Sequence, residues 1–324
     1  CLLLGPTLSD SITPVLSNPL YVIPFSMGHV ISLVQVDECI RKEFFQMHYI
    51  INSIEESFVL LKSIFKLSEL PLTQFQKVRL QYSSAKVLVQ TAFFLVNHVS
   101  CKTNKILYIL DRKIINMLNL SAKIGPLPQL LYLGVYYYST GRYSKALRIA
   151  KICKNRLSDP FAIYNDIVDK HRYVKYFGNL PLGERMKKSF IDFVLFNHNI
   201  IFRTDFFLEQ CTCQGKGMDF LLIPPFVLVH MLSVLCNYRL GNRSQCLQSL
   251  TDLQTLLFYD DGSYVDSDTR DISWQILGIC QHVVGDLHGA LQSYQMSLRQ
   301  EPFHKIQRAT IYRLTLALYQ LVRN

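Results

Sequence analysis

Three stretches of this sequence share one pattern, in which a glycine is followed five residues later by a small side chain and then by leucine. The stretches are GRYSKALRIA at 141, GNRSQCLQSL at 241 and GDLHGALQSY at 285. The glycine and small positions are Gly141, Ala146, Gly241, Cys246, Gly285 and Ala290. Glycine closes a tight turn between two helices, and the small residue lets the second helix approach the first closely. Since each stretch follows an apolar run of helical length, the pattern predicts helical hairpins.

The last of these hairpins resembles a tetratricopeptide repeat (TPR). It matches the family pattern in residue type and spacing at Trp274, Leu277, Gly278, Ala290, Tyr294 and Pro302. The first copy matches through Leu133, Gly134, Gly141 and Ala146, with Leu130 where the family has tryptophan. The middle copy keeps Gly241 but has Ser233 and Val234 at the family's leucine and glycine positions.

The resemblance implies an α-solenoid, because one hairpin cannot bury its own apolar face and must stack on the next. Gly241 and Gly285 are 44 residues apart, which corresponds to one repeat plus a polar, acidic loop at 259–268. Gly141 and Gly241 are 100 residues apart, close to three repeats. We therefore expect residues 161–178 and 183–211 to supply irregular hairpins between them.

The sequence before the hairpins also predicts helices. Apolar residues recur at three- and four-residue steps over 54–67, and 75–98 and 104–124 have similar helical character. Prolines at 6, 14, 19 and 24 predict an extended or disordered segment over 1–24. We therefore expect an all-α chain, with a helical subdomain or N-terminal cap over 25–124 and irregular TPR-like hairpins stacked as a solenoid over 125–324.

No motif in the sequence predicts a catalytic, cofactor or metal site. It contains no phosphate-binding loop, dinucleotide-binding fingerprint or nucleophile elbow. Cys211 and Cys213 form a CxC pair without a second ligand pair at zinc-site spacing. We therefore expect a chain that is not an enzyme within these residues and that takes no cofactor.

Nine scattered cysteines favour free thiols in a reducing, intracellular setting, and we expect a cytoplasmic location. The apolar run at 220–236 is barely long enough to cross a bilayer and contains Pro224 and Pro225. A buried helix with prolines in its first turn explains this run better than a membrane span.

The overall residue pattern from about 104 onward also resembles the helical C-terminal region of invertebrate cyclic-GMP-AMP-synthase-like nucleotidyltransferase proteins. The stretches LLYLGVYYYSTGRYSKAL and RDISWQILGICQHVVGDLHGALQSYQMSLRQEPFHKIQRAT carry this resemblance. It implies a regulatory or nucleic-acid-contacting arm of a larger innate-sensing protein. The chain begins at Cys1 rather than at methionine, so we expect a piece of a longer protein whose catalytic core lies elsewhere.

The TPR resemblance also implies which residues face the solenoid's groove. The matching positions are Leu131, Val135, Tyr138, Gln275, Ile279 and His282. This groove is mainly apolar. It predicts binding of an apolar peptide helix from a protein partner, or filling by the chain's own helices, of which residues 24–124 are the expected source. The leading expectation for function is a protein–protein interaction scaffold.

A basic patch follows the first hairpin turn. Between 142 and 188 the chain has twelve Lys and Arg residues against four acidic residues, whereas the whole chain has a net charge of +10. The basic stripe, as we call it, consists of Arg142, Lys145, Arg148, Lys151 and Lys154. It predicts either an interface for nucleic acid or an acidic partner, or a solvated helix face that the acidic 259–268 loop neutralises.

Overall fold

The computed structural model describes residues 33–46, 53–97, 104–158, 170–189, 191–201, 204–214 and 220–323. Across these ranges the protein is all-α apart from one small two-stranded sheet, as the sequence predicts. The predicted extended segment 1–24 lies outside the described residues. The predicted domain boundaries at 24 and 124 stay predictions.

Four helices of the described ranges precede the first predicted hairpin. They are α1 (Leu33–Gln46), α2 (Ile54–Ser68), α3 (Gln74–Asn97) and α4 (Asn104–Ile124). The predicted helices at 54–67, 75–98 and 104–124 are confirmed to within one residue at each end. Ser53 caps α2, because its hydroxyl accepts a hydrogen bond of 3.0 Å from the backbone N–H of Glu56.

The middle of the chain holds the first hairpin and a mixed segment. Its elements are α5 (Leu127–Ser139), α6 (Tyr143–Leu157), α7 (Lys170–Phe177), α8 (Leu182–Ser189), β1 (Val194–Asn197), α9 (His198–Ile201), α10 (Phe207–Gln214) and β2 (Phe220–Ile223). Strands β1 and β2 are antiparallel, with Leu195 opposite Leu222.

Two further hairpins and a final helix complete the chain. They are α11 (Pro225–Arg239) with α12 (Arg243–Tyr259), α13 (Arg270–Val284) with α14 (Leu287–Arg299), and α15 (Gln307–Arg323). The predicted buried helix with prolines in its first turn is α11, which has Pro225 at its first position. The residues just before it, 220–223, form β2.

The three glycine turns have the same backbone geometry. Gly141, Gly241 and Gly285 have φ values of +74°, +74° and +92°, a conformation that costs other residues energy. The residue after each glycine donates its backbone N–H to the carbonyl five positions back in the preceding helix. The distances are 2.8 Å for Arg142, 2.9 Å for Asn242 and 2.9 Å for Asp286. Such bonds satisfy carbonyls that the helix end leaves free. The glycine turns predicted from the sequence are confirmed.

Close helix approach, the second element of the pattern, is clearest in the last hairpin. A Cβ atom on Gly278 of α13 would lie 2.4 Å from Cε1 of Tyr294 on α14, so only glycine fits there. Tyr294 and Ala290 are fully buried. In the first hairpin Gly134 of α5 similarly faces Ile149 of α6.

The hairpins stack directly on one another, although the sequence separates the first from the second by a long segment. Helix α6 packs against α11, and α11 also packs against α5 and α13. The expected irregular hairpins between Gly141 and Gly241 therefore do not extend the stack, and that prediction was wrong. Of the described residues between these two hairpins, strand β1 packs against α5 and strand β2 against α13. The packing is consistent with a helical-repeat fold.

Helix α3 links two hydrophobic clusters. Its C-terminal half joins the large core with α4, the three hairpins and the segment around the sheet. Its N-terminal half joins a smaller cluster with α1, α7 and α8, in which Val34, Val78 and Tyr173 are buried. A buried polar group ties this smaller cluster together, because Tyr173 and Arg185 both donate hydrogen bonds to the Asp37 carboxylate.

We expect Trp274→Ala to lower the free energy of unfolding by about 3–5 kcal/mol. Trp274 is buried and packs edge-on against Phe258 of the preceding hairpin, with ring centroids 5.0 Å apart. Urea unfolding followed by circular dichroism measures the change. Tyr259→Ala, at a residue with 84% exposure beside Phe258, is the matched control and should have little effect. If Trp274→Ala leaves the free energy of unfolding unchanged, the contact of Trp274 with Phe258 does not stabilise the packing of these two hairpins.

Candidate interaction surfaces

The first helices of the hairpins are covered by the chain itself. We call residues 191–223 the inner segment, described at 191–201, 204–214 and 220–223. Its strand β1 contacts α5, β2 contacts α13, α9 contacts α3 and α10 contacts α15. Its fully buried apolar side chains belong to the main core and include Phe196, Ile200, Phe206, Leu221 and Ile223. Burial of such a side chain contributes roughly 1.5–3 kcal/mol, so the inner segment is an integral part of the fold.

Both outer edges of the small sheet are capped by side chains, one from α5 and one from the connection between α14 and α15. The Tyr132 hydroxyl on α5 donates to the carbonyl of Leu195 at 2.9 Å and accepts from its N–H at 2.8 Å. On the opposite edge, the N–H of Leu222 donates to Nε2 of His304 at 3.1 Å. Strand edges otherwise present unpaired backbone groups. The two caps let a sheet of only two strands exist inside a helical protein.

His304 is in turn held by α13. Its Nδ1 lies 2.6 Å from a carboxylate oxygen of Asp271, and its backbone N–H donates to the other oxygen at 2.9 Å. Both residues are buried. Since Nε2 accepts from Leu222, this geometry requires the proton on Nδ1, which then donates to Asp271. The pair therefore links β2 to the last hairpin.

A buried ion pair anchors α10. Glu209 is fully buried and accepts hydrogen bonds from Arg313 of α15 at 2.5 and 3.0 Å and from Gln275 of α13 at 2.7 Å. Burial alone disfavours the charged form of Arg313, but the Glu209 carboxylate outweighs this and raises the pKa of Arg313. Arg313 therefore stays charged and fixes the inner segment to the last helix.

The six residues predicted to face a groove all lie on the covered side of the hairpins or beside it. Leu131, Val135, Gln275 and Ile279 are buried. The Tyr138 hydroxyl donates to Asp205 of the inner segment at 2.9 Å, and burial is the main cause of its raised pKa. His282 is half-buried, with Nε2 2.9 Å from Oε1 of Gln320. Filling by the chain's own residues was one of the two predicted outcomes. Among the described residues, Asp205 and Glu209 of the inner segment contact Tyr138 and Gln275, and Gln320 of α15 contacts His282.

The five cations of the basic stripe differ in their surroundings. Arg142 is paired with Asp111 of α4, and Lys154 is paired with Asp252 of α12 at 2.6 Å. Lys145, Arg148 and Lys151 are exposed and have no ion-pair partner in the part of the chain that the structure describes.

The acidic loop does not provide the partners of the basic stripe. Asp260 accepts hydrogen bonds from three backbone N–H groups of its own loop and lies 3.5 Å from Arg270. Among the described residues, the acidic groups paired with the stripe are Asp111 and Asp252, and the predicted neutralisation by 259–268 is not observed.

The outer side of α15 is the most apolar exposed helix face at the C-terminal end of the stack. We call it the end face; its members are Ile311, Tyr312, Leu316, Leu318, Tyr319 and Val322. Val322 is 86% exposed, Tyr319 61%, Tyr312 57% and Ile311 53%. Exposed apolar patches of this kind mark interaction sites.

Sequence reasoning missed the end face. Its signal was present, because the apolar residues recur at three- and four-residue steps from 311 to 322. The pattern was uninformative about exposure, since an amphipathic helix packed inward shows the same periodicity. Only the position of α15, packed on α14 and α10, shows that this stripe faces outward.

A cavity of about 40 Å³ lies where α3, α5 and the inner segment meet. Tyr82, Lys86, Gln129 and Asp192 line it, and the Tyr82 hydroxyl donates to the Asp192 carboxylate. Burial lowers the pKa of Lys86, and the nearby Asp192 partly opposes that shift. A polar cavity of this size has room for a bound water molecule between the packed elements.

Comparison of the chain with protein-family models, curated proteins and solved structures found no match. No helix in the described ranges has the length and hydrophobicity needed to cross a bilayer.

We expect Arg313→Leu to loosen α10 because it leaves the Glu209 carboxylate buried without its cation. Breaking a buried pair in this way costs about 3–5 kcal/mol. Hydrogen exchange with mass spectrometry should show faster exchange over 204–214. Arg308→Leu, at an exposed arginine on the same helix, is the control and should leave exchange there unchanged. Equal exchange in both variants would show that the ion pair does not anchor the inner segment.

Proposed function

We propose that this chain is a non-catalytic protein-interaction scaffold built from TPR-like hairpins, and that it binds partners at the end of the stack. The observation that carries the proposal is the end face, where six large apolar side chains are exposed on one helix. The inner segment supports it indirectly. A peptide entering the usual groove would have to displace core residues such as Phe196 and Phe206.

The TPR-like part of this proposal is supported by particular contacts. The glycine turns, the approach of Gly278 to Tyr294 and the buried Trp274 follow the family's residue pattern in space as well as in sequence. The first hairpin departs from the pattern at Leu130, which is only half-buried. A scaffold of this type provides rigid helices on which a binding face is held.

The test compares three versions of the chain. Proteins captured by the immobilised wild-type chain are identified, expressed and purified, and each is titrated against the wild type by calorimetry. For at least one of them, Tyr312→Glu/Tyr319→Glu should weaken binding by roughly tenfold or more, or about 1.4 kcal/mol. Charges placed on a desolvated apolar contact oppose binding.

Tyr259→Glu is the matched control for this test, because Tyr259 is also an exposed tyrosine but lies on α12. It should bind like the wild type, and circular dichroism should show that all versions are folded. Equal affinities of every purified candidate for the three versions would contradict binding at the end face.

The exposed part of the basic stripe supports a second candidate function, a nucleic-acid-contacting arm of a larger cyclic-GMP-AMP-synthase-like protein. Lys145, Arg148 and Lys151 project from α6 with no acidic partner among the described residues. Three cations on one helix match the phosphate backbone in charge. The neighbouring ring of Tyr137 is buried, with Lys145 5.6 Å above it, so it offers no platform for stacking bases. Binding would therefore depend on phosphates and ignore sequence.

We expect such binding to weaken with salt, with a slope of log K against log salt near −3 for three phosphate contacts at about −0.9 each. Lys145→Glu/Arg148→Glu/Lys151→Glu should abolish it. Fluorescence anisotropy with labelled double-stranded DNA and RNA provides the measurement. Lys62→Glu/Lys66→Glu/Lys77→Glu, at exposed lysines on α2 and α3, makes the same change in net charge and is the control. Absence of binding at low salt, or an equal loss in both variants, would exclude a specific role for the stripe.

A further inference from the structure

We propose that the end face of α15 binds an amphipathic helix of a partner protein, and that this helix has acidic residues at both ends of its apolar stripe. The inference rests on the proposed function, because it names the kind of partner that the scaffold takes. It is carried by the shape of the end face, by its equivalence to a hairpin contact and by its charge.

The end face has the shape of a contact between two helices. The exposed residues of α15 are 308, 311, 312, 315, 316, 318, 319, 322 and 323. Steps of three and four place them on one side of the helix. The stripe is about 22 Å long at 1.5 Å per residue. A straight apolar stripe of this length fits the apolar side of another helix, which is a common mode of peptide recognition.

The same position in the preceding hairpin is covered by a helix. Gly278 of α13 faces Tyr294 of α14, and a shift of one 34-residue repeat places Tyr312 of α15 at the equivalent position. Helix α14 covers this position in α13, whereas no described helix covers it in α15. A partner helix in the corresponding place would continue the alternation of the stack. The tyrosine at the glycine position predicts a wider separation of the two helices than in the α13–α14 pair.

The charge of α15 selects the kind of helix. Its sequence has no aspartate or glutamate, and exposed arginines stand at the two ends of the stripe, Arg308 and Arg323. Opposite charges at the rim of an interface favour binding, and like charges oppose it. A partner helix with acidic residues at both ends places a carboxylate opposite each of these two arginines.

Two other occupants of the end face fit this charge less well. A second copy of α15 would bring arginine against arginine in either a parallel or an antiparallel arrangement. The chain's own residues 1–32 contain a single acidic residue, Asp10, and four prolines that oppose a continuous helix. Neither of them places an acidic residue opposite each arginine.

The experiment uses two synthetic helical peptides of about 18 residues, enough to span the stripe at 1.5 Å per residue. Both have the same leucine stripe; one has glutamates at its ends and the other lysines. Fluorescence anisotropy measures their binding to the full chain. We expect the glutamate peptide to bind at least roughly tenfold more tightly, and Arg308→Glu/Arg323→Glu to reverse the preference. Tyr312→Glu/Tyr319→Glu should abolish binding of both.

Other results of these binding measurements would contradict the proposal. Equal binding of the two peptides, or no binding, would overturn the acidic-helix inference. Light scattering that shows a dimer lost in the Tyr312→Glu/Tyr319→Glu variant would assign the end face to a second copy. Sedimentation with anionic lipid vesicles that is lost in the same variant would assign it to a membrane surface.

The purified partners from the capture experiment separate this inference from the proposed function. If the tyrosine variant loses binding and the arginine variant keeps it, the scaffold proposal stands and the acidic-helix inference fails. If neither variant affects binding, both fail.

Discussion

The packing of the inner segment against α5 and α13, the first helices of two hairpins, determines the rest of this structure. It converts the face that a helical solenoid usually presents to its ligands into hydrophobic core. Apolar side chains such as Phe196 and Ile223 supply the burial energy. Polar groups supply the alignment, because Tyr132 and His304 hold the two edges of the sheet and Arg313 holds α10. Removing a single one of these polar partners would leave a buried group unsatisfied.

The local features of the fold could be predicted from the sequence because neighbouring residues determine them. A glycine with positive φ, a small residue that faces the opposite helix and a tryptophan between hairpins each leave a fixed spacing, as at Gly285, Ala290 and Trp274. The helices over 54–124 follow from apolar periodicity in the same way. These inferences needed no knowledge of distant contacts, and the structure confirms the turns and the helices.

The interior arrangement could not be predicted because it depends on contacts between residues far apart in the chain. The 100 residues between Gly141 and Gly241 fit three repeats in length, yet α6 packs directly on α11. The strands at 194–197 and 220–223 are four residues each, and their backbone groups bond to Tyr132 and His304, which lie far away in the sequence. The surroundings of the candidate site also depend on contacts between residues far apart in the chain. The residues of the predicted groove could be named, but neither their cover nor the outward direction of the stripe on α15 could be read from spacing.

The direct contact between α6 and α11 also determines how this protein folds. In a regular solenoid each unit touches only its neighbours in sequence, so the units gain stability one after another. Here the first and second hairpins meet only after a long intervening chain has closed into a loop, and that closure has an entropic cost. The inner segment then contacts α3 near one end of the stack and α15 at the other. We therefore expect the hairpins to unfold as one cooperative unit and the chain to fold more slowly than a solenoid whose contacts are all local.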